Sequence, residues 1–396
     1  FYNRWMHSAQ HSLGAFCSGG TIANMTALWV ARNRLLQADG DFAGIAADGL
    51  AAGLQHYGYS KLTVVVSERG HYSLSKAADV LGIGRKNLVS VATDSDNRIR
   101  IDELRKTCEQ IAKEGGKVLA LVGVAGTTET GHIDPLDDMA TVAEEVDAHF
   151  HVDAAWGGAT LLSEQHRPLL AGIERADSVT IDAHKQMYVP MGAGLVLFKN
   201  PSLVKSIEHH AEYIIRQGSK DLGSHSMEGS RAGMAMMVFS AMHVIGRRGY
   251  ELLINNSIDK ARYFSKLIAE QDDFEVITEP ELCILTYRFV PAKVKAALEK
   301  ATPEQLARLT PHLNALTRYI QKRQRESGQS FVSRTKLTPG QYHHEPTVVF
   351  RVVLANPLTT DEMLQEVLNE QRQIASKATS LRGALHTEMR ELGMLT

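Results

Sequence analysis

Short apolar runs alternate with segments of helical periodicity through much of the chain, and this alternation limits the fold more than any other feature. The runs have the length and composition of strands and lie at residues 62–67, 88–92, 118–124, 151–154, 178–181 and 195–198. The segments between them show helical spacing, as at residues 22–36, 101–112 and 135–146. Strand–helix alternation is typical of a largely parallel sheet covered by helices on both faces. The sequence therefore predicts an α/β fold with its functional site at the carboxyl ends of strands.

The character of the chain changes after Gly249, where helical segments dominate. Residues 327–342 are rich in Ser, Gly and Thr and are predicted as a loop. We therefore expect two domains, a large α/β domain at residues 1–249 and a smaller C-terminal α+β domain at residues 250–396. The strand-like runs of the second domain lie at residues 274–277, 282–289 and 347–354.

The composition argues against several classes of partner. The 43 Lys and Arg against 45 Asp and Glu give a net charge of −2, which leaves no basic surplus for nucleic acid or an anionic membrane. No stretch approaches the roughly 18–20 apolar residues of a membrane span, and no signal peptide is visible. The 3 cysteines have no CxxC spacing, so we expect a reducing cytoplasm and no structural zinc. No metal is implied, because the pairs His209-His210 and His343-His344 lack the context of a metal site and are interpreted as surface positions. Since the chain opens with Phe1, we expect a piece of something longer.

Two stretches point to a bound ligand. In GAFCSGGTIAN, a strand-like start leads through Gly20 and Thr21 into a helix. Backbone N–H groups at such a helix start can approach a phosphate, although a plain turn is the other interpretation. In HVDAAWGG, Asp153 lies in an apolar strand, and a buried carboxylate needs a partner. That partner is either a cation in a structural salt bridge or a protonated ring nitrogen of a planar ligand lying over Ala154 and Ala155.

Further polar residues follow other predicted strands. Lys185 ends the run SVTIDAHK, and a partly buried lysine near a second cationic centre has a lowered pKa that makes its amine a nucleophile. His184 either contacts phosphate or is a polar loop residue, and Lys185 itself has the alternative of an ordinary surface position. His71 either stacks on an aromatic ring or is a satisfied loop residue, and the hydroxyls of Thr127 and Thr128 either bind a ligand or cap a loop. A phosphate cradle, a carboxylate for a ring nitrogen, a Schiff-base lysine and a stacking ring are together what pyridoxal phosphate requires.

Five stretches in order resemble the group II pyridoxal-phosphate-dependent decarboxylases of fold type I: SGGTIANMTAL, GHYSLSKAA, GTTETGHIDPL, HVDAAWGG and DSVTIDAHK. The resemblance extends over roughly residues 14–231 and implies a fold type I, transferase-like α/β domain with pyridoxal 5′-phosphate as cofactor. By position, Lys185 would hold the cofactor covalently, with His184 before it. Asp153 would pair with the ring nitrogen, His71 would stack on the ring, and Ala155 would pack on its other face. Lys185, Asp153 and His71 are the expected catalytic residues.

The resemblance also implies how the phosphate is held. Gly20 and Thr21 would bind it, and Thr128 would reach the cofactor's edge near the substrate. The segment EGSR resembles one that reaches the phosphate of the partner subunit, so Gly229 and Ser230 are expected to complete the site in a homodimer with shared active sites.

The chain departs from the family in two places. The mobile loop of the family carries a tyrosine that protonates the carbanion, but RQGSKDLGSHSMEGSR contains none. Tyr213 lies just before this stretch and His225 within it, and the sequence does not choose between them. Little of the family's usual N-terminal segment is present, so the sequence shows only part of the residues expected to recognise the substrate. Arg4, Arg216 and Arg351 are all candidates to bind an acidic substrate side chain.

The expected reaction is α-decarboxylation of an amino acid. The stretch ADSVTIDAHKQMYVPMGAGLVLFKN is most similar to bacterial pyridoxal-dependent aspartate 1-decarboxylases, which implies aspartate as substrate and β-alanine for pantothenate synthesis as product. Glutamate is the next choice, followed by 2,4-diaminobutyrate or an aromatic amino acid. A pyridoxal-dependent aldehyde-lyase, a desulfurase or an aminotransferase would keep the fold and change the reaction. A non-catalytic binding module is the third class of alternative.

Overall fold

The computed structural model describes residues 12–212, 215–216, 218 and 222–395. The chain divides into two compact units. The first runs to Thr128 and resumes with His132–Ile254, and the second comprises Glu129–Gly131 and the chain from Asn255 onwards. The break after Ile254 and the expected boundary at residue 249 both lie within one long helix, Met234–Ala269.

A single sheet forms the centre of the first unit. Its strands are β1 (Leu13–Cys17), β2 (Leu62–Ser67), β3 (Leu88–Val91), β4 (Lys117–Val124), β5 (His149–Asp153), β6 (Ser178–Asp182) and β7 (Gly194–Phe198). They form a 7-stranded sheet in the order β1-β7-β6-β5-β4-β2-β3. Strands β3, β2, β4, β5 and β6 are parallel, whereas β7 is antiparallel to both β6 and β1. The predicted, largely parallel sheet is confirmed, with strand ends within about two residues of those expected.

Helices alternate with these strands along the chain. They are α1 (Gly20–Leu35), α2 (Ile45–Tyr57), α3 (Ser73–Val80), α4 (Ile101–Lys113) and α5 (Leu136–Glu145), followed by α6 (Met234–Ala269), which begins in the first unit and ends in the second. Short 3₁₀ turns lie at Arg85–Asn87, Gly157–Leu162, Arg167–Leu170, Ile173–Arg175, Pro201–Ile207 and Leu222–His225. Every residue of β2 is buried, as expected of a continuous apolar run covered on both faces. Sequence reasoning missed α2, whose helical pattern is broken at Gly49, where φ is 82°.

The second unit is built on an antiparallel sheet. Its strands are β8 (Phe274–Thr278), β9 (Ile284–Phe289), β10 (Ser333–Leu337) and β11 (Thr347–Val353), in the order β10-β11-β9-β8. Its helices are α7 (Ala292–Leu298), α8 (Pro303–Ser327), α9 (Asp361–Lys377) and α10 (Thr379–Glu391), with a 3₁₀ turn at Gly340–Tyr342.

One prediction for this unit is wrong. Residues 327–342 are not simply a loop, because they contain β10, which pairs with β11. The sequence of β10, SRTKL, exposes Arg334 and Lys336, and charged outward residues are typical of an edge strand. A Ser- and Thr-rich composition therefore concealed an edge strand.

Strands β4, β5 and β6 are neighbours and parallel, so Val124, Asp153 and Asp182 end at one edge of the sheet. The candidate site residues Asp153 and Lys185 lie at or just after these strand ends.

In the described part of the chain, no helix is long and apolar enough to cross a membrane. The histidines at positions 209, 210, 343 and 344 are exposed, as their interpretation as surface positions expected.

Candidate active site

The phosphate cradle is predicted at the turn between β1 and α1. Helix α1 begins at Gly20, and Thr21 lies in its first turn. A Cβ atom on Gly20 would lie 2.8 Å from Oδ2 of Asp182 and 3.2 Å from Cβ of Ala155. A larger residue at position 20 would therefore fill this space, which is called the floor of the cradle below. An open floor beside the N–H groups of a helix start suits a phosphate. The structure thus brings Gly20 and Ala155 together, with Thr21 next to Gly20 in the chain, and their contacts with a cofactor stay a prediction.

Asp153 is the last residue of β5, and its side chain is buried. The side chain of Asn24 donates a hydrogen bond through Nδ2 to Oδ2 of Asp153 over 2.8 Å. The backbone N–H of Ala155 donates to Oδ1 over 3.2 Å. An ionised carboxylate has about four lone-pair sites, so these two donors leave capacity for a protonated ring nitrogen.

Lys185 lies in the turn that follows β6, beside the carboxylate of Asp182. Its Nζ is 3.1 Å from Oδ2 of Asp182, whose side chain is 4% exposed. Burial raises the pKa of Asp182, and the neighbouring Lys185 and His184 oppose that rise. Oδ1 of Asp182 has no hydrogen-bond partner among the described residues. Sequence reasoning missed Asp182, although its place at the end of an apolar strand, three residues before the lysine, was a usable signal.

His184 lies between the cradle and β7. Its Nδ1 is 3.1 Å from the carbonyl oxygen of Ala193, and its Nε2 is 3.7 Å from Oδ2 of Asp182. A Cβ atom on Gly19 would lie 3.4 Å from Cε1 of His184. The imidazole is therefore beside Gly19, the residue that precedes α1.

His71 lies just before α3 and is half-buried. Its Nδ1 is 2.8 Å from Oγ of Ser73, and its ring centroid is 4.2 Å from that of Tyr72. Oγ of Ser73 in turn lies 3.1 Å from Nδ2 of Asn24, the same nitrogen that donates to Asp153. His71 and Asp153 are thus linked through Ser73 and Asn24, neither of which the sequence singled out.

The two threonines after β4 differ in surroundings. Thr127 is buried, and its Oγ1 accepts a hydrogen bond from the backbone N–H of His132 over 3.1 Å, which is the loop-capping role considered for it. Thr128 is exposed at the end of the same stretch. The role of Thr128 at the cofactor's edge stays a prediction.

The EGSR segment approaches the cradle of its own chain. Glu228 accepts a hydrogen bond through Oε2 from the backbone N–H of Ser18 over 2.9 Å. Gly229 and Ser230 are exposed. The structure therefore places this segment next to the cradle without burying the two residues expected to reach a partner's phosphate.

Of the candidate proton donors and substrate-binding cations, Tyr213 and Arg4 lie outside the residues that the structure describes. His225 has its Nε2 3.6 Å from Oε1 of Glu208, and burial lowers its pKa. Arg216 is exposed.

Arg351 lies on β11 in the second unit. Burial lowers its pKa, and the carboxylate of Glu129 opposes this. The charge of Glu129, in the same unit, therefore acts on its guanidinium.

The residues present fit pyridoxal phosphate on structural grounds. The buried Oδ1 of Asp182 lacks a hydrogen-bond partner in the described part of the chain, and the floor at Gly20 is open only because no Cβ is there. The donor set combines a primary amine, buried carboxylates and imidazoles within one edge of a sheet. These are the groups that an aldehyde cofactor with a phosphate and a basic ring nitrogen requires.

Known proteins resemble this chain over most of its length. The family model for the pyridoxal-dependent decarboxylase conserved domain matches residues 4–290. An aspartate 1-decarboxylase of Aliivibrio fischeri is 66% identical over 378 residues, which are 96% of this chain and 69% of that protein. An acidic amino acid decarboxylase of Bos taurus is 32% identical over 365 residues, which are 90% of this chain and 65% of that protein.

The fold has solved counterparts. The crystal structure of mouse CSAD in apo form superposes with a TM-score of 0.81 at 27% identity, covering 92% of this chain and 72% of that one. The fold type I expectation is therefore confirmed. With a matching domain over more than half of its length and these relatives, the chain belongs to the pyridoxal-dependent decarboxylase family, whose cofactor is pyridoxal phosphate.

Proposed function

We propose that the protein is an amino-acid α-decarboxylase that converts L-aspartate to β-alanine and CO₂. The observation that carries this proposal is the 66% identity, over 96% of the chain, to a relative named for that activity. A second relative is named for acidic amino acids, which supports the same substrate class and makes glutamate the alternative.

The residues around the candidate site have different roles in the proposed reaction. When bound, pyridoxal phosphate supplies a protonated ring that accepts the electron pair left at the substrate's Cα as CO₂ departs. Asp153 would hold the proton at the ring nitrogen, and Gly20 and Thr21 would hold the phosphate at the start of α1. His71 and Ala155 would pack against the ring. The scissile bond must stand perpendicular to the ring, so these contacts contribute to the rate by orientation.

In this proposal, Asp182 accepts the proton that Lys185 must lose. An amine attacks an aldehyde only in its neutral form, so the ammonium of Lys185 must first lose a proton. The carboxylate of Asp182 lies 3.1 Å away, and burial raises its pKa, which makes it a suitable acceptor. The transfer converts ammonium and carboxylate into amine and carboxylic acid, so neither of these two groups remains charged.

Two roles remain with several candidates. Tyr213 and His225 are the candidate donors of the proton that returns to Cα. Arg4, Arg216 and Arg351 are the candidate partners of the substrate's side-chain carboxylate. Substitution of each residue by Gln or Phe, with KM and kcat measured for aspartate, assigns these roles.

The active unit in this proposal is a homodimer in the cytoplasm. The first half of α6 exposes Phe239 by 58% and Val244 by 86%, and Met191 is 80% exposed. Exposed apolar side chains in such numbers mark an interaction surface, and a second copy is the partner that also uses the exposed Gly229 and Ser230. Light scattering should give twice the chain mass, and Phe239→Lys should give the mass of one chain. A single-chain mass for the unaltered protein contradicts the dimer. The 3 cysteines are buried and form no disulfide with one another, which is compatible with a reducing compartment.

Product analysis tests the proposed reaction. The purified protein, reconstituted with pyridoxal phosphate, is given aspartate, glutamate, 2,4-diaminobutyrate or tyrosine separately. β-Alanine and CO₂ from aspartate are expected. CO₂ from another amino acid alone would overturn the substrate and keep the reaction. An aldehyde or a keto acid without CO₂ would overturn the reaction itself.

A further inference from the structure

A buried chain of hydrogen bonds lies directly behind Asp153. It begins at the amide of Asn24, which donates to Oδ2 of Asp153 over 2.8 Å. Oδ1 of the same amide is 3.0 Å from Nε2 of His151, and Nδ1 of His151 is 2.8 Å from Oγ of Ser178. Oγ of Ser178 is 2.7 Å from Nε2 of His149. Asn24, His151 and Ser178 are between 0% and 1% exposed, so water does not compete for these bonds.

The proton positions in this chain follow from the amide. Asn24 has two N–H groups on Nδ2, one directed at Asp153 and the other at Oγ of Ser73 over 3.1 Å. Its carbonyl oxygen can only accept, so Nε2 of His151 must carry a proton. If the amide were turned over, its oxygen would face the carboxylate of Asp153, and two acceptors would meet with no proton between them. The carboxylate therefore selects one orientation of the amide, and the Nε2–H of His151 donates to the amide oxygen in that orientation.

The rest of the chain agrees with that orientation. Burial lowers the pKa of His151 to about 4, and the charge of Asp153 only partly opposes this. His151 is thus neutral at pH 7, with a free electron pair on Nδ1 that accepts the hydroxyl proton of Ser178. Oγ of Ser178 then accepts from Nε2–H of His149. His151 and Ser178 each donate one hydrogen bond and accept one, and such chains are mutually reinforcing.

The same amide also acts on His71. Because Oγ of Ser73 accepts from Asn24, its own proton is directed at Nδ1 of His71, 2.8 Å away. The backbone N–H of Ser73 also points at that nitrogen, over 3.2 Å. Two donors at Nδ1 place the proton of the neutral imidazole on Nε2. The amide therefore sets the orientation of Asp153 and the tautomer of His71 together.

We propose that Asn24 and His151 are positioning residues of the cofactor site. Asn24 orients the carboxylate of Asp153 toward the ring nitrogen and fixes the proton of His71 on Nε2, and His151 holds the Asn24 amide in the required orientation. This inference rests on the proposed function, because it takes Asp153 as the partner of the ring nitrogen and His71 as the stacking residue. The other charged or titratable groups that act on this region are Asp182, Lys185, His184 and His149.

The test compares Asn24→Leu with a matched control on the same helix. Asn33 is also buried in α1, and its Nδ2 donates to the backbone oxygen of Ser206 over 3.0 Å, far along the helix from the site. We expect Asn24→Leu to raise the Kd for pyridoxal phosphate about tenfold or more, since a hydrogen bond to a charged group is lost. The pH midpoint of the bound cofactor's visible absorbance should shift, because the ring's partner is disturbed. Asn33→Leu should bind the cofactor as the unaltered protein does.

His151 supplies a second pair of variants. His151→Leu removes the donor to Asn24 and should reproduce the effect of Asn24→Leu. His151→Gln keeps an N–H donor at a similar reach and should restore the cofactor's Kd and absorbance midpoint most of the way. A purely structural role for His151 predicts no such difference between the two variants at equal thermal stability.

A third measurement needs no activity. Nitrogen-15 spectra of histidine in the cofactor-free protein, assigned with His151→Gln and His71→Gln, distinguish protonated from unprotonated ring nitrogens. We expect the proton on Nε2 in both His151 and His71. A proton on Nδ1 of either ring overturns the proposal, as does an unchanged Kd and absorbance profile in Asn24→Leu, or an equal change in Asn33→Leu. These readouts use no substrate, so an absence of CO₂ would overturn the proposed function and leave them interpretable.

Discussion

Lys185 is the single residue whose loss has the most direct chemical consequence. Lys185→Ala removes the only amine that we assign to covalent attachment of the cofactor, so borohydride reduction should no longer fix pyridoxal phosphate to the chain. Mass spectrometry of the digested protein reads this directly. Lys199 is exposed shortly after β7, and Lys199→Ala should leave attachment unchanged. Retention of the visible absorbance of lysine-bound cofactor in Lys185→Ala contradicts the assignment.

The carboxylate of Asp182 has a separate effect on the same step. Asp182→Asn keeps the shape of the side chain and removes the acceptor for the proton of Lys185, so covalent attachment should slow on the order of 100-fold at neutral pH. In the unaltered protein, the attachment rate should fall as the pH drops through the pKa of Asp182, which burial raises above its usual range. The variant should lack this acid limb. Stopped-flow absorbance measures both.

Asp177 offers the control for that experiment. It precedes β6 at the opposite end from Asp182, and its Oδ2 accepts a hydrogen bond from the backbone N–H of Phe150 over 2.9 Å. Asp177→Asn keeps that acceptor, so its attachment rate and pH profile should match those of the unaltered protein. If Asp182→Asn also matches, Lys185 loses its proton to another group.

At the scale of elements, the first residues of α1 both start a helix and border the space predicted for the cofactor's phosphate. Gly20→Ala should favour the helix, yet its Cβ would lie 2.8 Å from Oδ2 of Asp182. We therefore expect the cofactor Kd to rise about tenfold, because the carboxylate must move and the phosphate floor is filled. A Cβ atom on Gly383 in α10 would meet no atom within 4 Å, so Gly383→Ala should raise the free energy of unfolding by about 0.5–1 kcal/mol without changing the Kd. An unchanged Kd in Gly20→Ala contradicts the cradle.

The elements also show what the sequence could reveal. The strands of the first sheet were predictable because buried parallel strands are continuous apolar runs, as in β2. The edge strand β10 was not, because its outward residues are charged. Lys185 and Asp153 were predictable because their chemistry is local to a strand end. Asn24 and His151 were not, since their contact joins positions 127 residues apart and neither has a distinctive local pattern.

At the scale of the whole molecule, buried neutral histidines make the fold sensitive to acid. Burial lowers the pKa of His151 and that of His132 to about 4, from an ordinary value of 6.5. Between these values the unfolded chain binds protons that the folded chain does not, so stability rises with pH. The contribution is fully present above pH 6.5 and is lost as the pH falls toward 4. Each histidine accounts for about 3 kcal/mol over the full window.

This gives a prediction for equilibrium unfolding in urea at pH 7.5, 6 and 5. The free energy of unfolding should decrease steadily as the pH is lowered, and the decrease should be smaller in His151→Gln, because that variant has no ring to protonate at this position. The exposed His343 is the matched control, and His343→Gln should follow the unaltered protein. If His151→Gln loses as much stability between pH 7.5 and 5 as the unaltered protein, then His151 does not resist protonation in the folded state. The neutral ring that orients the amide of Asn24 would then have no support, so the same titration bears on the fold and on the cofactor site.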